Sequence, residues 1–348
     1  MLNNASQLIE RNINRFLAVK SLLVMGPPAD DLINILPDVG IVTTTDIVAY
    51  EYMRSKNNHH GRVLFQEAAK VAAGEELYEA VLIFMPKSKD ELRYRLLNAH
   101  ALLREKGNIF LVGAKKEGIA SADKVMATLG GKVLKVDSAR HCTLWVTQPL
   151  KTAKPFSIAD WESVYRAHVS DVTFDVCNIP GVFAHKHIDI GTEFLLQSIA
   201  PKVADFKGEW LDFACGAGVI AAFMVKTNPR LLMTGVDSSA LAVYCARRTF
   251  ELMGAKGNFL ASDGFDNVSE RRFDGIVTNP PFHTGIDTDY SITEAFIQKS
   301  KKMLKKNGQL FMVANNFLDY DEQLRQVFGN VETIAANTKF NIYMCVNN

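Results

Sequence analysis

Apolar and polar positions along this chain switch repeatedly between two periods. Over residues 4–18, Leu8, Ile9, Ile13, Phe16 and Leu17 recur at helical spacing. Short apolar runs follow at 21–25 and 40–43, a helical stretch at 46–54, then runs at 62–65 and 80–84. A longer helical stretch over 89–106 carries Leu92, Leu96, Leu97, Leu102 and Leu103 on one side. Runs at 108–112, 132–136 and 142–147, with a helix at 121–129, complete this half. Short apolar runs bounded by turn signals read as buried strands, and strands alternating with helices predict a mostly parallel, doubly wound α/β sheet.

The alternation stops at 148–157, where Pro149 and Pro155 interrupt a stretch without periodicity. This is the expected linker, dividing the chain into domains 1–150 and 151–348. Beyond it, 161–168 reads as a helix, 172–176 and 180–183 as a β-ribbon, and a helix opens near Gly191 and Thr192. Strands are then predicted at 210–213, 231–236, 258–261, 273–278 and 308–314, with candidates at 331–335 and 342–346. Helices are predicted at 219–226, at 240–253 ahead of Gly254, from the capping-box pair Ser291 and Glu294 to Lys306, and at 321–328.

The two halves resemble each other. Residues 78–86 (YEAVLIFMP) parallel 273–281 (FDGIVTNPP), and 105–113 (EKGNIFLVG) parallel 306–314 (KNGQLFMVA). Phe84 stands where the second half has Asn279, and Met25-Gly26-Pro27-Pro28 stands where it has a Gly-x-Gly turn. The expectation is a duplicated fold whose first copy has lost its chemistry.

Composition narrows the classes. The 348 residues carry a net charge of +1, so any nucleic acid must be held by a local patch and not by bulk charge. Cys142, Cys177, Cys215, Cys245 and Cys345 include no C-x-x-C pair and read as reduced core cysteines. No run has the length of a membrane span, and no His, Cys and Asp spacing suggests a metal; a cytoplasmic protein is expected.

Candidate chemistry gathers in the second half. Asp212 to Gly218 (DFACGAG) lies between a strand and a helix, where Gly216 and Gly218 let the backbone approach a ligand and expose helix N-terminal N–H groups. The spacing is not that of the dinucleotide G-x-G-x-x-G, since position 221 is Ala. Asp237 ends the second strand, where a carboxylate can accept two ribose hydroxyls, although Asp is equally a helix cap. Asp263 ends the third, in reach of an adenine amine. Asn279-Pro280-Pro281-Phe282 ends the fourth. A restrained Asn279 Oδ1 and the carbonyl of Pro280 can both accept from one planar NH2 group, and Phe282 offers a stacking face. An ordinary proline turn explains an isolated triplet equally well.

Taken together and in this order, these residues carry a resemblance. Segment 209–348 resembles the class I S-adenosylmethionine-dependent methyltransferases, and Asn279-Pro280-Pro281-Phe282 is similar to the motif of those that methylate planar amino nitrogens. Pro180 to Phe183, Asp189 to Thr192, Leu195-Leu196, His283 after the motif and Val136 to Arg140 resemble the bacterial ribosomal RNA guanine-N2 methyltransferases, the 16S type foremost. The resemblance implies two tandem Rossmann-like methyltransferase domains, the first degenerate and serving RNA recognition or stability. It implies S-adenosyl-L-methionine as cofactor, held by Asp212, Ala214, Gly216, Gly218, Asp237, Asp263, Asn279 and Gly191, with Asn279, Pro280 and Phe282 catalytic. It implies 16S rRNA as partner, in the small subunit or an assembly intermediate, and a monomeric enzyme. Ala214 departs from the motif, which usually has Gly there. The 23S rRNA enzymes and the protein-glutamine and DNA-adenine methyltransferases are the alternatives.

Several residues admit a plainer reading. Lys299, Lys301, Lys302, Lys305 and Lys306 fit a solvated helix end as well as a phosphate patch. Lys87, Lys89, Lys115, Lys116, Arg140, His283 and His185-Lys186-His187 are candidate RNA contacts, and Cys215 reads as a small packed residue.

Overall fold

The structure, a computed structural model, describes residues 1–38, 40–56, 62–71, 76–184, 186–280, 290–318 and 320–348. The chain divides into two compact units, Met1–Glu162 and Ser163–Asn348. The stretch expected as linker lies in the first: Phe156 and Trp161 pack edge-on against Tyr94, with ring centroids 5.1 and 5.4 Å away.

The first unit holds strands β1 (Leu22–Met25), β2 (Gly40–Thr44), β3 (Val63–Phe65), β4 (Tyr78–Phe84), β5 (Leu103–Ala114), β6 (Val133–Ala139) and β7 (Cys142–Thr147) in one sheet of order β3-β2-β1-β4-β5-β7-β6. Only β7 runs antiparallel to its neighbours. Side chains alternate across a strand, so successive residues feed different cores. Leu22, Val24, Val42 and Leu82 enter one cluster, and Leu23, Met25, Val81 and Ile83 the other. Both faces are covered, which is why these strands are apolar throughout.

The second unit opens with an antiparallel pair, β8 (Ser163–Val169) and β9 (Val172–Asn178). The helix expected at 161–168 is therefore a strand. Ala167 and Val169 are buried while Arg166 and His168 are exposed, a period of two, and Arg166 pairs with Asp175 across the ribbon. The remaining strands are β10 (Glu209–Phe213), β11 (Leu232–Asp237), β12 (Asn258–Ala261), β13 (Phe273–Thr278), β14 (Leu304–Asn315), β15 (Glu332–Ala336) and β16 (Phe340–Val346). Their order is β12-β11-β10-β13-β14-β16-β15, strand for strand that of the first sheet. The likeness extends to detail. Lys106 in β5 and Asn307 in β14 both have positive φ, 61° and 65°, and both strands shift register against β4 and β13 at equivalent places.

Helices also differ from their sequence patterns: 4–18 divides into Asn4–Arg11 and Asn14–Leu17, and the helix expected to run to Lys306 stops at Met303. The stretch 89–106 stops at Leu102, where the chain turns directly into β5. The stretch 121–129 is broken into short turns around the helix Asp123–Met126, bounded by Gly118 and Gly130 at φ 87° and 83°.

Candidate functional site

The strand order of the second sheet reverses direction between β10 and β13, which follow one another in space but not in sequence. Such a switch point opens a crevice at the carboxyl ends of the strands. Phe213 pairs with Val236 on one side and Thr278 on the other. The next residue of each strand is therefore Ala214, Asp237 and Asn279, side by side at that end. Thr278 Oγ1 donates to Phe213 O at 2.8 Å, tying the two central tips together.

The turn after β10 is left-handed three times: Ala214 at φ 58°, Gly216 at 52° and Gly218 at 76°. Only Gly takes this region without penalty. A Cβ at Gly218 would lie 3.1 Å from Ala246 Cβ, so the glycine also lets the helices Val219–Thr227 and Ala240–Leu252 approach. A Cβ at Gly216 would meet nothing within 4 Å, which leaves open space beside the turn.

Asp237 holds this turn in place. Its Oδ2 accepts from Gly216 N and its Oδ1 from Ser239 N, both at 2.9 Å. The following helix is capped instead by Ser239, whose hydroxyl accepts from Ala242 N. Asp263 is exposed beyond β12, and Ser262 N donates to Asp237 O at 2.9 Å, joining the two tips.

Asp212 is fully buried one step back from the tip. Its Oδ2 accepts from Ala221 N at 3.1 Å in the first turn of the helix. Its Oδ1 is buried and has no hydrogen-bond partner. Burial pushes its carboxyl up to about 8, against the pull of the Ala221 N–H and with a further push from Asp237. Cys215 is buried, and burial raises its thiol well above the usual range, which makes it a packed residue and not a nucleophile.

Asn279 is half-buried and its side chain is latched. Nδ2 donates to Asp189 Oδ2 at 2.9 Å and to Thr192 Oγ1 at 2.8 Å. Asp189 Oδ2 also accepts from Thr192 N at 3.1 Å and so caps the helix Ile190–Val203. A Cβ at Gly191 would come 3.1 Å from Asp189 Oδ2 and 3.3 Å from Phe340 Cε1, so this corner is tight. Pro280 is buried. Phe282, Pro281, His283 and His185 lie outside the described residues.

The outlying candidates divide. Lys305 pairs with Asp274 at 2.8 Å, Lys299 approaches Asp266 at 3.6 Å, and Lys301 donates to Val327 O at 2.8 Å. Most of that lysine cluster is thus engaged within the fold. Lys87, Lys89, Lys115, Lys116, Arg140, Lys186 and His187 are exposed. Sequence reasoning gave no role to Thr192 or Phe340. Thr192 lies in the resembling segment Asp189 to Thr192, but nothing local shows its contact with Asn279, because that contact joins distant segments.

The residues present fit S-adenosylmethionine. The left-handed turn leaves room for a ligand at Gly216, a carboxylate stands at the second strand tip, and an unpartnered carboxyl oxygen lies beneath.

Comparison with known proteins agrees with this reading. A family model described as the methyltransferase small domain matches residues 173–344, and its N-terminal counterpart matches residues 6–165. Ribosomal RNA small subunit methyltransferase C of Pseudoalteromonas atlantica is 37% identical over 348 residues, covering 99% of both chains. The Aeromonas hydrophila protein of that name is 37% identical over 344 residues, covering 99% of this chain and 98% of its own. Among solved structures, the T. thermophilus 16S rRNA N2 G1207 methyltransferase in complex with AdoMet and guanosine has the same fold, with a TM-score of 0.85 at 21% identity over 99% of this chain and 92% of its own. With a duplicated sheet, a glycine turn beside paired carboxylates and relatives matching from end to end, the chain belongs to the ribosomal RNA small subunit methyltransferase C family.

Proposed function

We propose that this chain transfers a methyl group from S-adenosyl-L-methionine to the exocyclic N2 of a guanine in 16S rRNA, the reaction named for the T. thermophilus relative. The observation that carries the reading is the latched Asn279. Its Nδ2 faces the Asp189 carboxylate, which can only accept, so Oδ1 must face the other way.

Bound, the cofactor supplies an electrophilic methyl group on a sulfonium. Guanine N2 is a poor nucleophile because its lone pair is delocalised into the ring. Asn279 Oδ1 and the Pro280 carbonyl accept its two hydrogens and draw the nitrogen towards tetrahedral geometry. Its lone pair would then face the methyl group that the cofactor supplies, and the methylated nitrogen would give up one proton to solvent. Orientation and stabilisation of the developing positive charge are the main terms, and no activated nucleophile is required. Phe282 stacks on the base, a contact of about 1–3 kcal/mol. A paired guanine must first be flipped outward. Gly216 and Gly218 let the backbone close on the cofactor, Ala214 shapes the same turn, and Asp212 lies beneath it. Asp237 holds the ribose, Asp263 the adenine, and Gly191 flanks the methionine end.

The remaining assignments rest on the same family likeness: action within the small subunit or an assembly intermediate, a monomer, and a cytoplasmic location. Among the described residues no helix is long and apolar enough to cross a membrane. The test is Asn279→Ala, assayed on 16S rRNA from cells lacking this methyl group. Cofactor affinity by calorimetry is expected to hold while turnover falls about 100-fold or more. Unchanged turnover would remove the mechanism.

A further inference from the structure

The latch on Asn279 reaches beyond that mechanism. An amide in a site can present either its oxygen or its nitrogen, and the two ends have nearly the same shape. Guanine N2 carries two hydrogens to donate, so a nitrogen facing it would repel it. Something must hold the amide in one orientation. Asp189 Oδ2 and Thr192 Oγ1 accept both Nδ2 hydrogens, at 2.9 and 2.8 Å. Both come from the start of one helix, and Asp189 Oδ2 is itself fixed by Thr192 N at 3.1 Å. Thr192 is 8% exposed, so water has little access to replace its hydroxyl.

We infer that Thr192 and Asp189 are positioning residues for methyl transfer: together they lock the Asn279 carboxamide with its oxygen towards the target amine. The inference rests on the role proposed for Asn279. The helix start Ile190–Val203 thereby becomes part of the amine site, and its cap serves two ends at once. Asp189 opens the helix and aims a side chain 90 residues away in sequence. Gly191 belongs to the same device, since a side chain there would press on Asp189 Oδ2.

The test uses the whole chain, four single variants and one double variant. Thr192→Val keeps the shape and removes the acceptor, whereas Thr192→Ser keeps the acceptor. Asp189→Ser retains a helix-capping oxygen but is too short to reach Asn279. Asn279→Ala supplies the background in which the latch has nothing to hold. Single-turnover methylation of unmethylated 16S rRNA is measured with S-adenosylmethionine affinity and, with S-adenosylhomocysteine present, guanosine affinity by calorimetry. Thr192→Val and Asp189→Ser are expected to slow methyl transfer about 10-fold and to weaken guanosine binding, with cofactor affinity unchanged. Thr192→Ser is expected to restore the rate. Combined with Asn279→Ala, Thr192→Val should add nothing, because residues acting through one group are not additive. Equal loss in both backgrounds would show a merely structural role and overturn the inference. So would a wild-type rate in Thr192→Val when Asn279→Ala is slow. If Asn279→Ala itself turns over normally, the mechanism fails first, and that result is distinct from the other two.

Discussion

Ala214 is an L-residue held at φ 58° in the turn after β10. The left-handed region disfavours a Cβ by about 1–2 kcal/mol, and glycine's looser unfolded chain returns about 0.4–1 of that. Ala214→Gly is therefore expected to stabilise the protein slightly, raising the thermal midpoint by about 1–4 °C without weakening cofactor binding. A melt compared with the parent checks it, and a lowered midpoint would mean that the alanine methyl has packing value. Asp212 makes a pH prediction. Its folded carboxyl is pushed up to about 8 from an ordinary 3.8. Between those values the unfolded state has released the proton and the native state has not, so the native state binds more protons and stability falls as pH rises. Asp212→Asn should flatten that decline, as read by urea unfolding from pH 4 to 8. A decline as steep in the variant would assign it to other groups. The sequence singled out both Ala214 and Asp212. The strain at Ala214 and the unpartnered oxygen of Asp212 were not legible there, since both depend on backbone geometry and burial.

At the scale of elements, β13 leads into Asn279 and pairs with β10 through Gly275 opposite Trp210. A Cβ at Gly275 would stand 2.3 Å from Trp210 Cζ3, inside the ring. The indole is stacked on Phe206 at 4.2 Å between centroids and its Nε1 donates to Lys207 O, so it has no easy place to move. Gly275→Ala is expected to destabilise the second unit by about 1–3 kcal/mol through overpacking. Denaturant unfolding measures this, and a change within about 0.5 kcal/mol would show that Trp210 relaxes without loss. Strands were the best-read elements because continuous apolar runs mark a sheet covered on both faces. The ribbon strand β8 was misread because Trp161 to His168 contains few strand-forming runs, and its pairing with β9 supplies what the local pattern lacks. The helix at 121–129 failed for a related reason: the glycines at 118 and 130 favour short turns, and packing decides between them and a continuous helix.

At the scale of the whole chain, two sheets share one strand order, and their first-strand turns differ. In the first unit, Gly26 occupies the place of the glycine turn, and Arg95 fills the space above it. A Cβ on Gly26 would be 1.8 Å from Arg95 Nη1, and the guanidinium is held by Glu91 at 2.6 Å, both side chains largely buried. Calorimetry is accordingly expected to find one S-adenosylmethionine per chain, and a stoichiometry of two would show that the first cradle still opens. The sequence by itself determined the duplicated α/β order and the residues at the strand tips, because apolar period, turn residues and motif spacing are local properties. Only the tertiary structure decided how those tips work together. The switch point brings Ala214, Asp237 and Asn279 into one row, and a helix cap almost a hundred residues upstream sets which end of the Asn279 amide faces the crevice. Hydrogen bonds between distant segments have no period, so no pattern along the chain could have foretold them.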